Sequence, residues 1–174
     1  MSVEVEAKFE IEPAQLSEVR ARLLELGASS LAGPCYEENQ LFDFPDARLR
    51  RSGCALRLRS YEGETLLTFK GPVQPDLTLK RREEIETQVK DGAAFREVLG
   101  RLGLVPVFEY HKTREILGVN HDGRALHVCL DETPVGVFVE VEGEPEAIGW
   151  VASIFGWTNP IKKSYIEIYQ ERRR

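Results

Sequence analysis

Val3-Glu4-Val5-Glu6-Ala7-Lys8-Phe9-Glu10 alternates apolar and charged residues without a break. Side chains two apart in a strand share a face. Val3, Val5, Ala7 and Phe9 therefore face one way, and Glu4, Glu6, Lys8 and Glu10 the other. Working outward, the same alternation predicts strands over Val3–Glu10, Glu38–Asp43, Cys54–Tyr61, Thr65–Lys70, Leu77–Thr87, Phe108–Leu117, Ala125–Asp131, Val135–Glu142 and Ile161–Tyr169. Glu62-Gly63, Gly71-Pro72 and Asp122-Gly123 supply turns between several of them. Helices are predicted over Pro13–Leu26, Gly92–Leu102 and Pro145–Phe155, each with an apolar stripe at spacings of three and four and a glycine just past its end. Each helix follows an acidic doublet, Glu4/Glu6, Glu84/Glu86 or Glu140/Glu142, a weak internal repeat of strand, helix and glycine.

The residues that alternate with the apolar ones are strongly typed. Arg57 and Arg59 lie opposite Leu56 and Leu58, and Lys70 shares a face with Thr68. Arg82, Glu84 and Glu86 share a face, as do Lys112 with Arg114 and Glu140 with Glu142, and Lys163 lies opposite Ser164 and Ile166. A half-solvated antiparallel sheet is the ordinary reading of one such strand. Here acidic doublets occupy the first and eighth predicted strands and basic doublets the third and sixth. Paired carboxylates cost stability unless a cation compensates them. If the helices cover the apolar side of a sheet of about eight strands, the curled sheet encloses the charged side. Such an interior is too costly to leave dry and unpaired, so it would hold water, metal and a polyanion. Several carboxylates suit Mg²⁺ or Mn²⁺, and converging Arg and Lys side chains suit phosphoryl oxygens.

Composition narrows the class. At 174 residues, with 42% apolar and 30% charged residues, the chain is expected to form a single α+β domain over 1–174 rather than a disordered or membrane protein. Its longest uncharged run, Ala147–Ile161, is 15 residues, short of a spanning helix. Met1-Ser-Val-Glu has no basic-then-apolar leader, and Cys35, Cys54 and Cys129 lack metal-type spacing. Reduced thiols in a cytoplasm are the expectation. A net charge of −6 argues against non-specific nucleic-acid binding. No phosphate-binding G-x-x-x-x-G-K-[ST] loop or serine–histidine hydrolase motif occurs, and His111, His121 and His127 are too scattered for zinc. Trp150 and Trp157 read as packing residues, and the Arg172–Arg174 tail as solvated.

Read in order, Glu4-Val-Glu6-Ala-Lys8, Leu56-Arg-Leu-Arg59, Leu67-Thr-Phe-Lys70, Arg82-x-Glu84-x-Glu86, Lys112-Thr-Arg114, Leu130-Asp131, Phe138-Val-Glu-Val-Glu142 and Lys163-Ser-Tyr165 resemble the CYTH superfamily, the triphosphate tunnel metalloenzymes. The first of these looks like that family's E-x-E-x-K signature. The resemblance implies an eight-stranded antiparallel β-barrel with helices packed outside. It implies that Glu4, Glu6, Glu140 and Glu142, with Asp131 as a further acidic contributor, hold Mg²⁺ or Mn²⁺. It also implies that Lys8, Arg57, Arg59, Lys70, Arg82, Lys112, Arg114 and Lys163 bind the triphosphate, with Lys8, Arg59, Lys112 and Arg114 the candidate catalytic groups. Glu84 and Glu86 fit ion pairs with the arginines equally well. Leu41, where the family frequently has an aromatic residue, and the short lead before Glu4 bear on the subfamily rather than the fold.

The activity implied is metal-dependent and acts on a small-molecule triphosphate such as ATP, thiamine triphosphate or tripolyphosphate. A class IV adenylyl cyclase, making cyclic AMP and pyrophosphate, is the first expectation. A triphosphatase is the second, and a non-catalytic polyphosphate-binding module the third. Neither nucleic acid nor membrane is an expected partner, and a homodimer stays open.

Overall fold

The computed structural model describes residues 2–76 and 78–172. The elements in chain order are β1 (Ser2–Ile11), α1 (Leu16–Glu25), β2 (Ser29–Asp43), α2 (Arg48–Arg51), β3 (Ala55–Tyr61), β4 (Glu64–Lys70) and β5 (Lys80–Gln88). There follow α3 (Gly92–Arg101), β6 (Val105–His121), β7 (Arg124–Thr133), β8 (Gly136–Glu142), α4 (Pro145–Phe155) and α5 (Tyr165–Arg172). The strands form a closed eight-stranded antiparallel β-barrel in the order β1-β5-β4-β3-β2-β6-β7-β8, the expected α+β architecture. Among the described residues no helix is long and apolar enough to cross a membrane.

By contacts the chain divides into two compact units, one holding residues 36–74 and 82–111 and the other residues 4–35, 75–81 and those from 112 onward. In the second, the Glu4 unit, β1 pairs with β8, β8 with β7 and β7 with β6, all antiparallel. The apolar side of this ladder, including Ala7, Phe9, Leu117, Val128, Val139 and Val141, packs with Val19 and Leu23 of α1 and with Ala147, Ile148 and Val151 of α4. Burying a side chain as fully as Leu23, at 0% exposure, stabilises by about 2 kcal/mol. Trp150 and Trp157 pack against this core, Trp157 stacking on Phe9 at 5.2 Å and on Phe155 at 4.4 Å. In the Arg57 unit β2 pairs with β3, β3 with β4 and β4 with β5. There Phe42 and Leu58 form the core with Leu99 of α3 and with Leu104. In each unit the helices lie on the apolar side of the sheet and leave the charged side to the other face.

The predicted helices are present with the expected punctuation. Asp91 accepts from the Ala94 N–H at 2.9 Å to start α3, Pro145 opens α4, and Gly156 ends it at φ +66°.

The strand expected over Ile161–Tyr169 is not one. Residues 161–164 are irregular, and α5 follows. The buried residues Tyr165, Ile168 and Tyr169 are spaced three and four apart, a helical stripe. Ser164 and Glu167 form a reciprocal cap: the Ser164 N–H donates to Glu167 Oε2 at 2.7 Å, and the Glu167 N–H donates to Ser164 Oγ at 3.4 Å. β2 begins at Ser29 rather than Glu38, because its exposed first half, through Gly33-Pro34, carries no alternation to read. β6 runs from Val105 to His121, beyond the expected Phe108–Leu117. The short α2 was not expected. Asp43 caps it, accepting from the Leu49 N–H at 2.9 Å and the Arg50 N–H at 3.0 Å. Leu77, the expected start of the fifth strand, lies outside the described residues, as do the last two residues of the basic tail. Arg172 is not a loose end: its guanidinium donates to both carboxylate oxygens of Glu10, at 2.6 and 2.7 Å.

Candidate functional site

In the Glu4 unit the charged face of the sheet is built by register. Glu6 lies across from Glu142 and Lys8 across from Glu140 on β1 and β8, and Arg114 lies across from Asp131 on β6 and β7. Glu4, Glu6 and Glu142 each bring one carboxylate oxygen into a group whose members all lie within 4.8 Å of one another. Lys80 donates to Glu6 at 2.6 Å. Burial pushes the Glu142 carboxyl up to about 7, with Glu4, Glu140 and Glu6 adding to the rise against the pull of Arg114. Three hard oxygen donors whose negative charge is under-compensated fit a divalent cation such as Mg²⁺ or Mn²⁺.

Beside this trio is a buried cationic group. Lys112, at 1% exposure, donates to Asp131 Oδ2 at 2.9 Å. Arg114 grips Asp131 with both arms of its fork, Nε to Oδ1 and an η nitrogen to Oδ2, each at 2.6 Å, and also donates to Glu140. The Tyr165 hydroxyl, presented by α5, donates to Asp131 Oδ2 at 2.5 Å. Lys8 pairs with Glu140 at 3.1 Å, donates to the Lys163 carbonyl at 3.2 Å and sits 4.0 Å over the Tyr165 ring. Lys112 lies 4.9 Å from the same ring centroid. Burial alone would raise the Glu140 carboxyl, but Lys8, Arg114, Lys112 and Lys80 outweigh it and hold that carboxyl well below the usual range. Asp131 is likewise lowered, burial being overcome by Arg114 and Lys112. The Tyr165 phenol is raised, first by burial and then by the Asp131 and Glu140 charges.

Three of the five acidic residues expected to hold metal therefore come together as donors. The other two sit on cations. Oδ2 of Asp131 accepts from Lys112, Arg114 and Tyr165 and its Oδ1 from Arg114, and the Glu140 oxygens are engaged by Lys8 and Arg114. Lys163 reaches the group only through its backbone carbonyl, because its side chain is exposed and pairs with Glu171 at 2.8 Å. His127 shares the face of Cys129 and is exposed, whereas Cys129 is buried.

The Arg57 unit carries the remaining expected cations on one face. Arg57 donates to Thr68 Oγ1 at 3.3 Å, and Thr68 in turn donates to Glu86 at 2.7 Å. Arg59 lies 3.5 Å from Glu37, and Lys70 lies 2.5 Å from Glu84. Arg82 donates to the Gly71 carbonyl at 2.6 Å from one nitrogen and 2.9 Å from another. Of the ion pairs with arginines expected of Glu84 and Glu86, Glu86 makes one, lying 3.9 Å from Arg57, whereas Glu84 pairs with Lys70. Lys80 and Glu37 escaped the sequence reading, and Tyr165 entered it only as the end of Lys163-Ser-Tyr165, with no role of its own. Lys80 had a signal, since it is two residues before Arg82 and shares its parity. Tyr165 had none beyond its place after Lys163-Ser164.

A sequence model of the CYTH domain matches residues 2–160. A Methanocaldococcus jannaschii protein named as a candidate adenylate cyclase is 30% identical over 141 residues, covering 80% of this chain and 76% of its own. The structure of a candidate adenylate cyclase from Vibrio parahaemolyticus superposes with a TM-score of 0.78 at 18% identity, over 97% of this chain and 98% of the other. A Hippeastrum protein, described as a candidate adenylyl cyclase with a dominant triphosphatase activity, superposes with a TM-score of 0.71 at 17% identity, over 98% and 96%. The last two share the fold.

Proposed function

The chain belongs to the CYTH domain family, and from that premise we propose that it is a divalent-metal-dependent enzyme acting on the triphosphate of a nucleotide, first of all as an adenylyl cyclase on ATP. The observation that carries this reading is the Glu4–Glu6–Glu142 trio next to the buried Lys8, Lys112 and Arg114. Acidic and cationic groups held this close suit a metal–polyphosphate complex and little else.

In this reading Glu4, Glu6 and Glu142 hold Mg²⁺ or Mn²⁺, which supplies Lewis-acid polarisation of phosphoryl oxygens. Lys8, Lys112 and Arg114 neutralise phosphoryl charge, and Arg57, Arg59, Lys70 and Arg82 are proposed as further substrate-binding groups. Asp131 and Glu140 act by holding those cations extended and dehydrated before substrate arrives, so little reorganisation remains when charge develops. Tyr165 fixes Asp131 from the third direction. In the cyclase reaction the ribose 3′-oxygen bonds to the α-phosphorus, the bond from that phosphorus to the bridging oxygen breaks, and pyrophosphate leaves. The 3′-hydroxyl proton is lost. Catalysis of this kind is mostly positioning and charge neutralisation.

The Hippeastrum neighbour supports a second reading, in which water attacks the γ-phosphorus, the bond from that phosphorus to the bridging oxygen breaks, the diphosphate leaves and the attacked phosphorus is released as inorganic phosphate. The same cations and carboxylates serve both. Incubating the protein with ATP, thiamine triphosphate or tripolyphosphate, each with Mg²⁺ or Mn²⁺, separates them by product. Cyclic AMP with equimolar pyrophosphate establishes the first reading. Inorganic phosphate with the matching diphosphate, and no cyclic AMP, transfers the assignment to a triphosphatase, and no turnover of any of the three overturns both.

A further inference from the structure

Asn39 stands in the middle of β2, on the face that carries Glu37, Arg57 and Arg59, directly across from Arg59 in the β2–β3 register. Asparagine is depleted in strand interiors, and this one is 2% exposed. Neither its Nδ2 nor its Oδ1 has a hydrogen-bond partner among the described residues. Arg57, diagonal to it on the same face, leaves its Nε in the same condition. Of the charged groups on this face, Arg59 pairs with Glu37, and Arg57 donates to Thr68 and is hydrogen-bonded to Tyr110. A leucine at position 39 would fill the same space at no polar cost, so a buried amide with both ends unmet marks a place where a ligand completes the bonding.

The chemistry of the missing partner follows from the donors and acceptors it must meet. A phosphoryl oxygen is acceptor-only. It would satisfy Nδ2 and the Arg57 Nε but leave Oδ1 facing negative charge. A group that offers an acceptor and an N–H or O–H donor side by side satisfies both ends of the amide. The amino edge of adenine does this, and so does a ribose hydroxyl; bidentate amide-to-adenine pairing is a recurrent solution.

We propose that Asn39 is a specificity-determining residue that reads a paired donor–acceptor group on the organic part of the substrate, distinguishing a nucleoside triphosphate from bare polyphosphate. This rests on the triphosphate reading and deepens it.

The test is equilibrium binding by calorimetry with Ca²⁺ in place of Mg²⁺, on the wild type and Asn39→Leu, using ATP and tripolyphosphate. Asn39→Leu should weaken ATP tenfold or more, leave tripolyphosphate within about twofold, and not lower the melting temperature of the ligand-free protein. Purine riboside triphosphate, which lacks the amino group, should bind the wild type as ATP binds the variant if the base supplies the pair. 2′-DeoxyATP should do so if the ribose supplies it. Equal weakening of ATP and tripolyphosphate, or unchanged ATP binding, overturns the assignment of Asn39 alone. A melting temperature that falls together with both affinities does the same, because it marks a structural role. Wild-type protein that binds neither ligand overturns the triphosphate reading and this assignment together.

Discussion

Replacing Asp131 with asparagine tests whether the buried cations depend on it. The side chain keeps its shape and loses its charge, and the residue is 0% exposed, so solvent does not make up the difference. In the wild type this carboxylate receives two hydrogen bonds from Arg114, one from Lys112 and one from Tyr165. Removing one partner of a buried ion pair costs about 3–5 kcal/mol, because the remaining charge stays desolvated. Here two cations are affected, although Glu140 continues to compensate Arg114. The expected loss is therefore about 3–5 kcal/mol rather than twice that. For a chain of this length each kcal/mol moves the melting temperature by about 2–4 °C, so the midpoint should fall by roughly 6–20 °C. The pH dependence has a definite sign. The Asp131 carboxyl is lowered in the folded protein from an ordinary 3.8, so its stabilisation is present above that value and is lost as pH falls through the folded value. The gap between wild type and variant, measured by urea unfolding, should be flat from neutral pH to about pH 5 and close at lower pH. Tyr165→Phe removes one donor only and should cost about 1.5–3 kcal/mol. An Asp131→Asn loss below about 1 kcal/mol at neutral pH, or a Tyr165→Phe protein as stable as wild type, would refute the argument that these groups form one interdependent cluster.

Two further outcomes follow from other proposed site residues. Glu142→Gln should abolish turnover, yet in EDTA at pH 8 it should be more stable than wild type, because burial raises the wild-type carboxyl to about 7 and its ionised form costs up to about 3 kcal/mol; thermal melts with and without Mg²⁺ check both, and an EDTA-treated variant less stable than wild type counts against the trio. Arg59→Lys should retain more turnover than Arg59→Ala, which is expected to lose 10²–10³-fold, because only arginine keeps the planar fork and alanine also removes the charge; steady-state kinetics read this, and equal turnover in all three proteins places Arg59 outside the site.

Much of the fold was legible because two periods separate cleanly in this chain. Alternation at two marks the strands. Val19 and Leu23 in α1, or Ala147, Ile148 and Val151 in α4, keep the helical spacing, and glycine ends the helical runs. The reading failed where both periods fit the same residues. Between Ile161 and Tyr169, Ile166 and Ile168 satisfy alternation, while Tyr165, Ile168 and Tyr169 satisfy the helix. The Ser164/Glu167 cap decides for the helix, and its S-x-x-E spacing was present in the sequence. The first half of β2 failed for the opposite reason: it has no buried side to impose a period.

The site was legible by face but not by partner. Glu140 and Glu142 share a strand and a face, and nothing in Phe138-Val-Glu-Val-Glu142 separates them. Register does. Glu140 lies across from Lys8 and becomes half of an ion pair, while Glu142 lies across from Glu6 and becomes half of a carboxylate pair. The third acid arrives by a different route. β8 ends at Glu142, and Gly143 takes φ +154°, with room for no Cβ against Leu126 at 2.9 Å. Glu4, two residues before Glu6, therefore lies past the end of the β8 ladder, and from there its carboxylate comes close to those of Glu6 and Glu142. A slip of two residues between β1 and β8 would keep every side chain on its face and every apolar residue in the core, yet it would set Lys8 against Glu142 or Phe138 and dissolve the trio. Burial alone does not forbid that slip. What opposes it is the charge pairing itself, Lys8 with Glu140 and Arg114 with Asp131 and Glu140, so the buried ion pairs in this sheet select the register that assembles the acidic trio.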